Sequence, residues 1–213
     1  MRPVRGAWGL AAGGLSLLLA GCESSEPPPP VPQPSVAPLT LEQLRNAEYP
    51  SQWPASGLAR LKNGVYHEPA AAGSVTEIVV RATEFHAFGD LDGDGAVDGV
   101  IVLESDPGGS GVFFDLAAVL NRRGQPLPLA PISLGDRVQL RAVGIEDDGS
   151  VSVEVRKHGP NDPLCCPTLD VVMRYRLEGD RLVNEGQEPR RSSASPLMRY
   201  TVQSRTPSAP ILS

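Results

Sequence analysis

Several things are scarce in this 213-residue chain: aromatics make up 5%, Cys occurs three times, and only Lys62 and Lys157 among its 19 basic residues are lysines. Positive charge is also short, with 25 acidic residues leaving a formal net charge of −6. That balance argues against a nucleic-acid binder working by phosphate neutralisation. No Gly-x-Ser-x-Gly elbow, Walker loop, dinucleotide fingerprint or His-Glu-x-x-His pair occurs, which removes the familiar signatures of hydrolases, nucleotide binders and zinc proteases. No apolar run reaches the roughly 20 residues that span a bilayer comfortably. What is plentiful is Gly and Pro, 22 of each. Such a content excludes a helical bundle and points to strands, turns and linkers. The length suits one sizeable core and hardly two.

The N-terminus carries an address. Arg2 and Arg5 precede the apolar stretch Leu10 to Ala20, closed by Leu19-Ala20-Gly21-Cys22. This tetrad resembles the bacterial lipobox, which implies a signal peptide over 1–21, cleavage before Cys22 and acylation of its thiol with palmitate-type chains. Several chains together give stable anchoring where one is marginal. The expected location is the bacterial cell envelope, lipid-anchored and facing the periplasm or the exterior. The competing reading is an uncleaved anchor or an ordinary secretory signal. Loss of Arg2 and Arg5 takes the net charge from −6 to −8. Residues 22–38 form a linker: seven of the sixteen from Glu23 to Pro38 are Pro, so a semi-rigid polyproline II tether is expected.

The pattern then predicts a single folded β-rich domain over 39–188 and a basic, Ser/Pro-rich tail over 189–213. Thr40-Leu41-Glu42-Gln43 fits a capping box, predicting a short helix from Leu41 to about Glu48. Asn63-Gly64 signals a hairpin between two short extended pieces. Val75–Ala82 and Val100–Leu103 read as buried strands, while Val112–Leu120 fits strand or helix, its two Phe residues and the Gly108-Gly109-Ser110-Gly111 entry favouring strand. Val138, Leu140 and Ala142 are expected to face inward. Asp147-Asp148-Gly149 turns that segment into the alternating Val151, Val153 and Val155. Val171, Met173, Tyr175 and Leu177 share a face before the Glu178-Gly179-Asp180 turn. Eight or so strands and one helix predict a mainly β fold, an antiparallel sheet or two-layer domain. Leu197–Val202 could add an edge strand to an otherwise solvated tail.

The stretch Asp90 to Asp98 carries the clearest chemistry. Carboxylates at Asp90, Asp92, Asp94 and Asp98, with Gly95 at the sixth position, have the ligand spacing of a calcium loop. A chain curling round a cation presents alternate side chains inward, with the Ala96 carbonyl as a further ligand and Gly95 permitting the turn. Ile101 stands where a helix–loop–helix site has its bidentate Glu, and the flanks read as strands. The loop is therefore similar to the Asp-x-Asp-x-Asp-Gly-x-x-Asp loop of FG-GAP repeats, which implies Asp90, Asp92, Asp94, Asp98 and Ala96 as Ca²⁺ ligands. One copy does not imply a propeller. The competing reading is a solvated acidic turn without an ion.

The second distinctive segment is His158 to Thr168, stiffened by three prolines around Cys165-Cys166. Three states are open to that pair: a vicinal disulfide, free thiols, or metal capture by both sulfurs with His158. Beyond a membrane, with Cys22 lipidated, the disulfide is the expected one. Gly108–Asn121, Leu134–Val138 and Gly159–Thr168 resemble a group of bacterial secreted proteins and lipoproteins of unassigned activity, of the LppP/LprE kind, which implies a small envelope domain. The functional expectation is a non-enzymatic envelope lipoprotein. Its partners would be the membrane, through Cys22, and a cell-envelope protein or polymer. The alternative is a hydrolase or thiol-redox protein using His158, Asp162, Cys165 and Cys166. His67 and His86 stand isolated, and Glu104, Asp106 and Asp115 are candidates for a carboxylate pair.

Overall fold

The computed structural model describes residues 36–163 and 165–190. The leader, Cys22, most of the linker and Leu197–Val202 lie outside them. As the sequence predicts, the domain is mainly β, with antiparallel sheets and one short helix near its start. That helix, α1 (Leu41–Arg45), has the expected capping box: the Gln43 N–H donates to Thr40 Oγ1 at 3.2 Å and the Thr40 N–H to Gln43 Oε1 at 2.9 Å. It stops three residues early because Glu48–Pro50 becomes β1, which pairs with β2 (Leu58–Arg60). So short a helix is held by tertiary packing rather than propensity. Buried Tyr49 on β1 donates its hydroxyl to the Leu44 carbonyl at 2.7 Å.

At Asn63-Gly64 the chain does turn tightly, with φ of 53° and 89°. Its two flanks pair elsewhere, however: β2 with β1, and β3 (Val65–Pro69) with β4 (Glu77–Gly89). Only the Lys62–Val65 bridge joins them. The larger sheet runs β3, β4 (Glu77–Gly89), β5 (Asp98–Asp106), β6 (Phe113–Arg122), β7 (Gln125–Pro128). On the free edge of β6, β7 takes the C-terminal half and β8 (Ile132–Asp136) the N-terminal half. The short strands β1, β7 and β8 are the ones the sequence pattern misses. Pro126 and Pro128 hide β7, and its place at a sheet edge is where proline is tolerated.

The smaller sheet runs β12 (Arg181–Pro189), β11 (Leu169–Glu178), β10 (Val151–Lys157), β9 (Gln139–Ile145). A bulge corrects the expected alternation in β9. Glu154 pairs with Ala142 and Val155 with Leu140, so Arg141 is skipped. The inward side therefore switches, and Leu140, Val143 and Ile145 pack on the core where Ala142 was expected.

Two cores result. Val100, Val102, Leu116, Ala118 and Leu120 face Val151, Val153, Val155, Val171 and Tyr175 between the sheets. On the opposite face of the larger sheet, Ile101, Leu103, Ala117 and Val119 pack under Leu39, Leu44, Tyr49 and Leu61. The continuous apolar runs in β5 and β6 follow from this: successive side chains point to opposite faces, and both faces are covered. The N-terminal helix and the β1–β2 hairpin thus form a third layer over one face of a two-sheet sandwich.

Candidate functional site

The acidic loop joins β4 to β5. Asp90 curls it by accepting from the Gly93 N–H at 2.7 Å and the Gly95 N–H at 2.9 Å. Both glycines have positive φ, 76° and 82°, which side-chain-bearing residues rarely adopt. Asp92 accepts from the Asp94 N–H, and Asp94 from the N–H of buried Ala96. Asp98, on the first residue of β5, is wholly buried at 0% exposure. Its two oxygens accept from the Leu91 N–H at 2.9 Å and the Asn121 N–H at 2.7 Å. Burial pushes the Asp98 carboxyl pKa up, the two backbone donors oppose that, and the charges of Asp92 and Asp94 add to the rise.

Of the predicted ligands, Asp90, Asp92 and Asp98 bring carboxylate oxygens within 4.8 Å of one another. Oxygens bound to a common Ca²⁺ at 2.3–2.6 Å lie no more than about 5 Å apart, so this set has the span such an ion requires. Asp94 is not part of this group. The Arg122 guanidinium, at the end of β6, lies 2.9 Å from Asp92 and 3.2 Å from Asp94. The positive charge expected at this loop is therefore already supplied in part by Arg122. An ion held by Asp92 or Asp94 would have to share that carboxylate with the arginine.

In the sequence Asp147-Asp148-Gly149 signals only a turn. The fold sets it against the acidic loop: a Cβ on Gly149 would come within 3.1 Å of the Asp90 carbonyl. A cleft of about 360 Å³ lies between them, lined by Asp90, Asp92, Asp147, Asp148 and Arg176 among others. Asp148 has its pKa drawn down to about 2, first by hydrogen bonds from Ser150 and then by Arg176. The other missed residue is Asn121, 1% exposed. Its side chain donates to the Ala37 carbonyl at 2.8 Å and the Val97 carbonyl at 3.1 Å, and accepts from the Gly124 N–H at 2.7 Å. It ties the acidic loop, the β6–β7 turn and the start of the folded domain to Asp98. A strand-end Asn after an apolar run carries no such signal in the sequence.

The loop 158–168 joins β10 to β11. Cys165 and Cys166 form a vicinal disulfide, with Cα atoms 3.7 Å apart, and both residues are exposed. The sulfurs are bonded to each other, so they are not in the thiolate form that metal capture with His158 requires. Asp162 accepts from the Gly159 N–H at 2.8 Å, the Thr168 N–H at 2.7 Å and the Thr168 hydroxyl at 2.9 Å. Its pKa is lowered first by the Gly159 N–H and then by Thr168, with the nearby His158 charge adding to the effect.

The remaining candidates each have partners of their own. Leu103 lies opposite Asp115 in the ladder, which puts Glu104 on the other face of the sheet. Glu104 pairs with Arg81, Asp106 caps the Gly108 N–H, and Asp115, its pKa raised by burial, takes a hydrogen bond from Ser133. His67 faces Glu77, and His86 Nδ1 lies 2.8 Å from the Glu84 carbonyl. The architecture thus defines an antiparallel β-sandwich with a helix-and-hairpin cap and a three-carboxylate loop at one end. No family model matches the chain, and neither curated proteins nor solved structures give a match.

Proposed function

We propose that this protein is a non-enzymatic lipoprotein of the bacterial cell envelope, anchored through Cys22 and stabilised by a structural Ca²⁺. The observation that carries the calcium reading is the convergence of Asp90, Asp92 and Asp98 within 4.8 Å. Hard carboxylate oxygens at that span suit Ca²⁺ better than a softer, nitrogen-seeking metal. Asp94 and the Ala96 carbonyl complete the proposed ligand set. The ion would offset the repulsion of four carboxylates and the burial cost of Asp98, and so pin the turn into β5. Affinity should fall at roughly 10⁻⁴–10⁻³ M, as in extracellular modules, because Ile101 offers no bidentate grip. At 100 times Kd, binding to the folded state raises stability by about 2.7 kcal/mol. A melting series in EDTA and in millimolar Ca²⁺ tests this, with Asp92→Ala plus Asp94→Ala as control. Absence of a calcium-dependent shift in the unmutated protein refutes the ion.

Anchoring rests on Leu19-Ala20-Gly21-Cys22 and the proline-rich linker behind it. Cys22→Ala should abolish fatty-acid labelling and detergent partitioning, and a variant that still shows both overturns the anchor. The proposed partner surface is the exposed loop around Cys165 and Cys166, offered to an envelope protein or polymer. The alternative hydrolase built on His158 and Asp162 gains nothing from the geometry, because both Asp162 oxygens are spent on closing the loop.

A further inference from the structure

Independently of anchoring and calcium, we propose that Cys165–Cys166 is a reversible two-electron redox site for dithiol reductants. Asp162 is its positioning residue, holding the loop closed in both redox states. Three observations carry this. Both cysteines are exposed, so an incoming thiolate has access to the bond. The disulfide joins sequence neighbours and so closes almost no loop, which leaves it little role in stabilising the fold. The closure belongs to Asp162, which takes the Gly159 N–H at one end and the Thr168 N–H and hydroxyl at the other. Below it, Arg156 meets Asp170 at 2.9 and 2.7 Å and fixes the β10–β11 stem. The frame around the sulfurs is complete without the bond between them.

The chemistry balances as a thiol–disulfide exchange. One thiolate of the dithiol attacks a cysteine sulfur; the Cys165–Cys166 bond breaks, and the departing sulfur leaves as a thiolate and takes a proton. The second thiol of the reductant then attacks the mixed disulfide and releases the other cysteine. Two electrons and two protons pass to the cysteine pair, while the reductant closes to its own disulfide. The reduced loop presents two adjacent thiols on an otherwise unchanged domain.

The test uses the folded chain with dithiothreitol, read by intact mass, melting temperature and amide hydrogen exchange. The mass should rise by two hydrogens without denaturant, and the melting temperature should stay within about 2 °C. The Gly159 and Thr168 amides should remain protected in both states, and oxidised glutathione should restore the starting mass. Asp162→Ala should speed exchange at those amides about tenfold or more, while the domain still melts cooperatively. Thr168→Val, which keeps the amide and loses the hydroxyl, should give a smaller effect and guards against a misfolded Asp162 variant. A disulfide reducible only after unfolding overturns the proposal. So does a reduced protein whose Gly159 and Thr168 protection is lost although Asp162 is intact.

Discussion

At one end of β10 the chain arrives from the Asp147–Gly149 turn, and at the other it leaves into the loop 158–168; the loops at these two ends are secured in different ways. The acidic end is wired into the fold. Asp98 and Asn121 are both buried, and between them they bind the β4–β5 loop, the β6–β7 turn and the first residues of the domain. The cysteine end closes mainly on itself, through a half-buried carboxylate and a bond between exposed neighbours. Cutting a buried bond strands a partner away from water, whereas cutting an exposed one lets water replace it. Damage at the first end should spread, and damage at the second should stay local.

Asp98→Ala should have the largest effect. It leaves the buried Leu91 and Asn121 N–H groups without their acceptor, at about 1–3 kcal/mol each. Trp53, tilted by 31° against Phe113 with ring centroids 4.6 Å apart, gives a fluorescence signal for urea unfolding curves. A loss below about 1 kcal/mol would mean the two ends are secured alike. Asn121→Ala should come next, about 1–3 kcal/mol, with an added local signature. Freed from the Ala37 carbonyl, the chain around residues 36–40 should become a preferred site of limited proteolysis while the sheets stay intact. Unchanged cleavage there would break the assignment of Asn121 as the tie. The double change Cys165→Ser, Cys166→Ser should cost least, about 1 kcal/mol or less in the same unfolding assay. A cost matching that of Asp98→Ala would erase the contrast.

How far each end was legible follows from the same difference. The carboxylate spacing of Asp90 to Asp98 and the Asp147-Asp148-Gly149 turn are both local patterns, and each turned the chain where the residues predicted. That the two lie side by side depends on which strands pair and pack, and no local pattern reports it. Asn121 was invisible for the same reason, since its partners stand 24 and 84 positions away. The helix was overestimated because capping chemistry fixes a start, while the end was decided by pairing between β1 and β2. In β9 a period-two pattern failed at a single skipped residue, Arg141. The vicinal disulfide was foreseeable from adjacency and expected compartment, but the Asp162 closure around it required coordinates.

The placing of the two ends also has a mechanical consequence. The described chain begins at the acidic end, where Asn121 grips Ala37, and finishes at the cysteine end. There the Arg190 N–H donates to the Asp170 carbonyl and its guanidinium meets Glu154 at 2.9 Å. The two ends are set apart by the strands: the seven residues of β10 cover about 23 Å at roughly 3.3 Å each. Ala37 is held to the larger sheet and Arg190 to the smaller one, so a pull between them also loads the side-chain packing between the two sheets. The Asn121 side chain, standing where the load enters, would be the first to yield, and the sheets behind it the last.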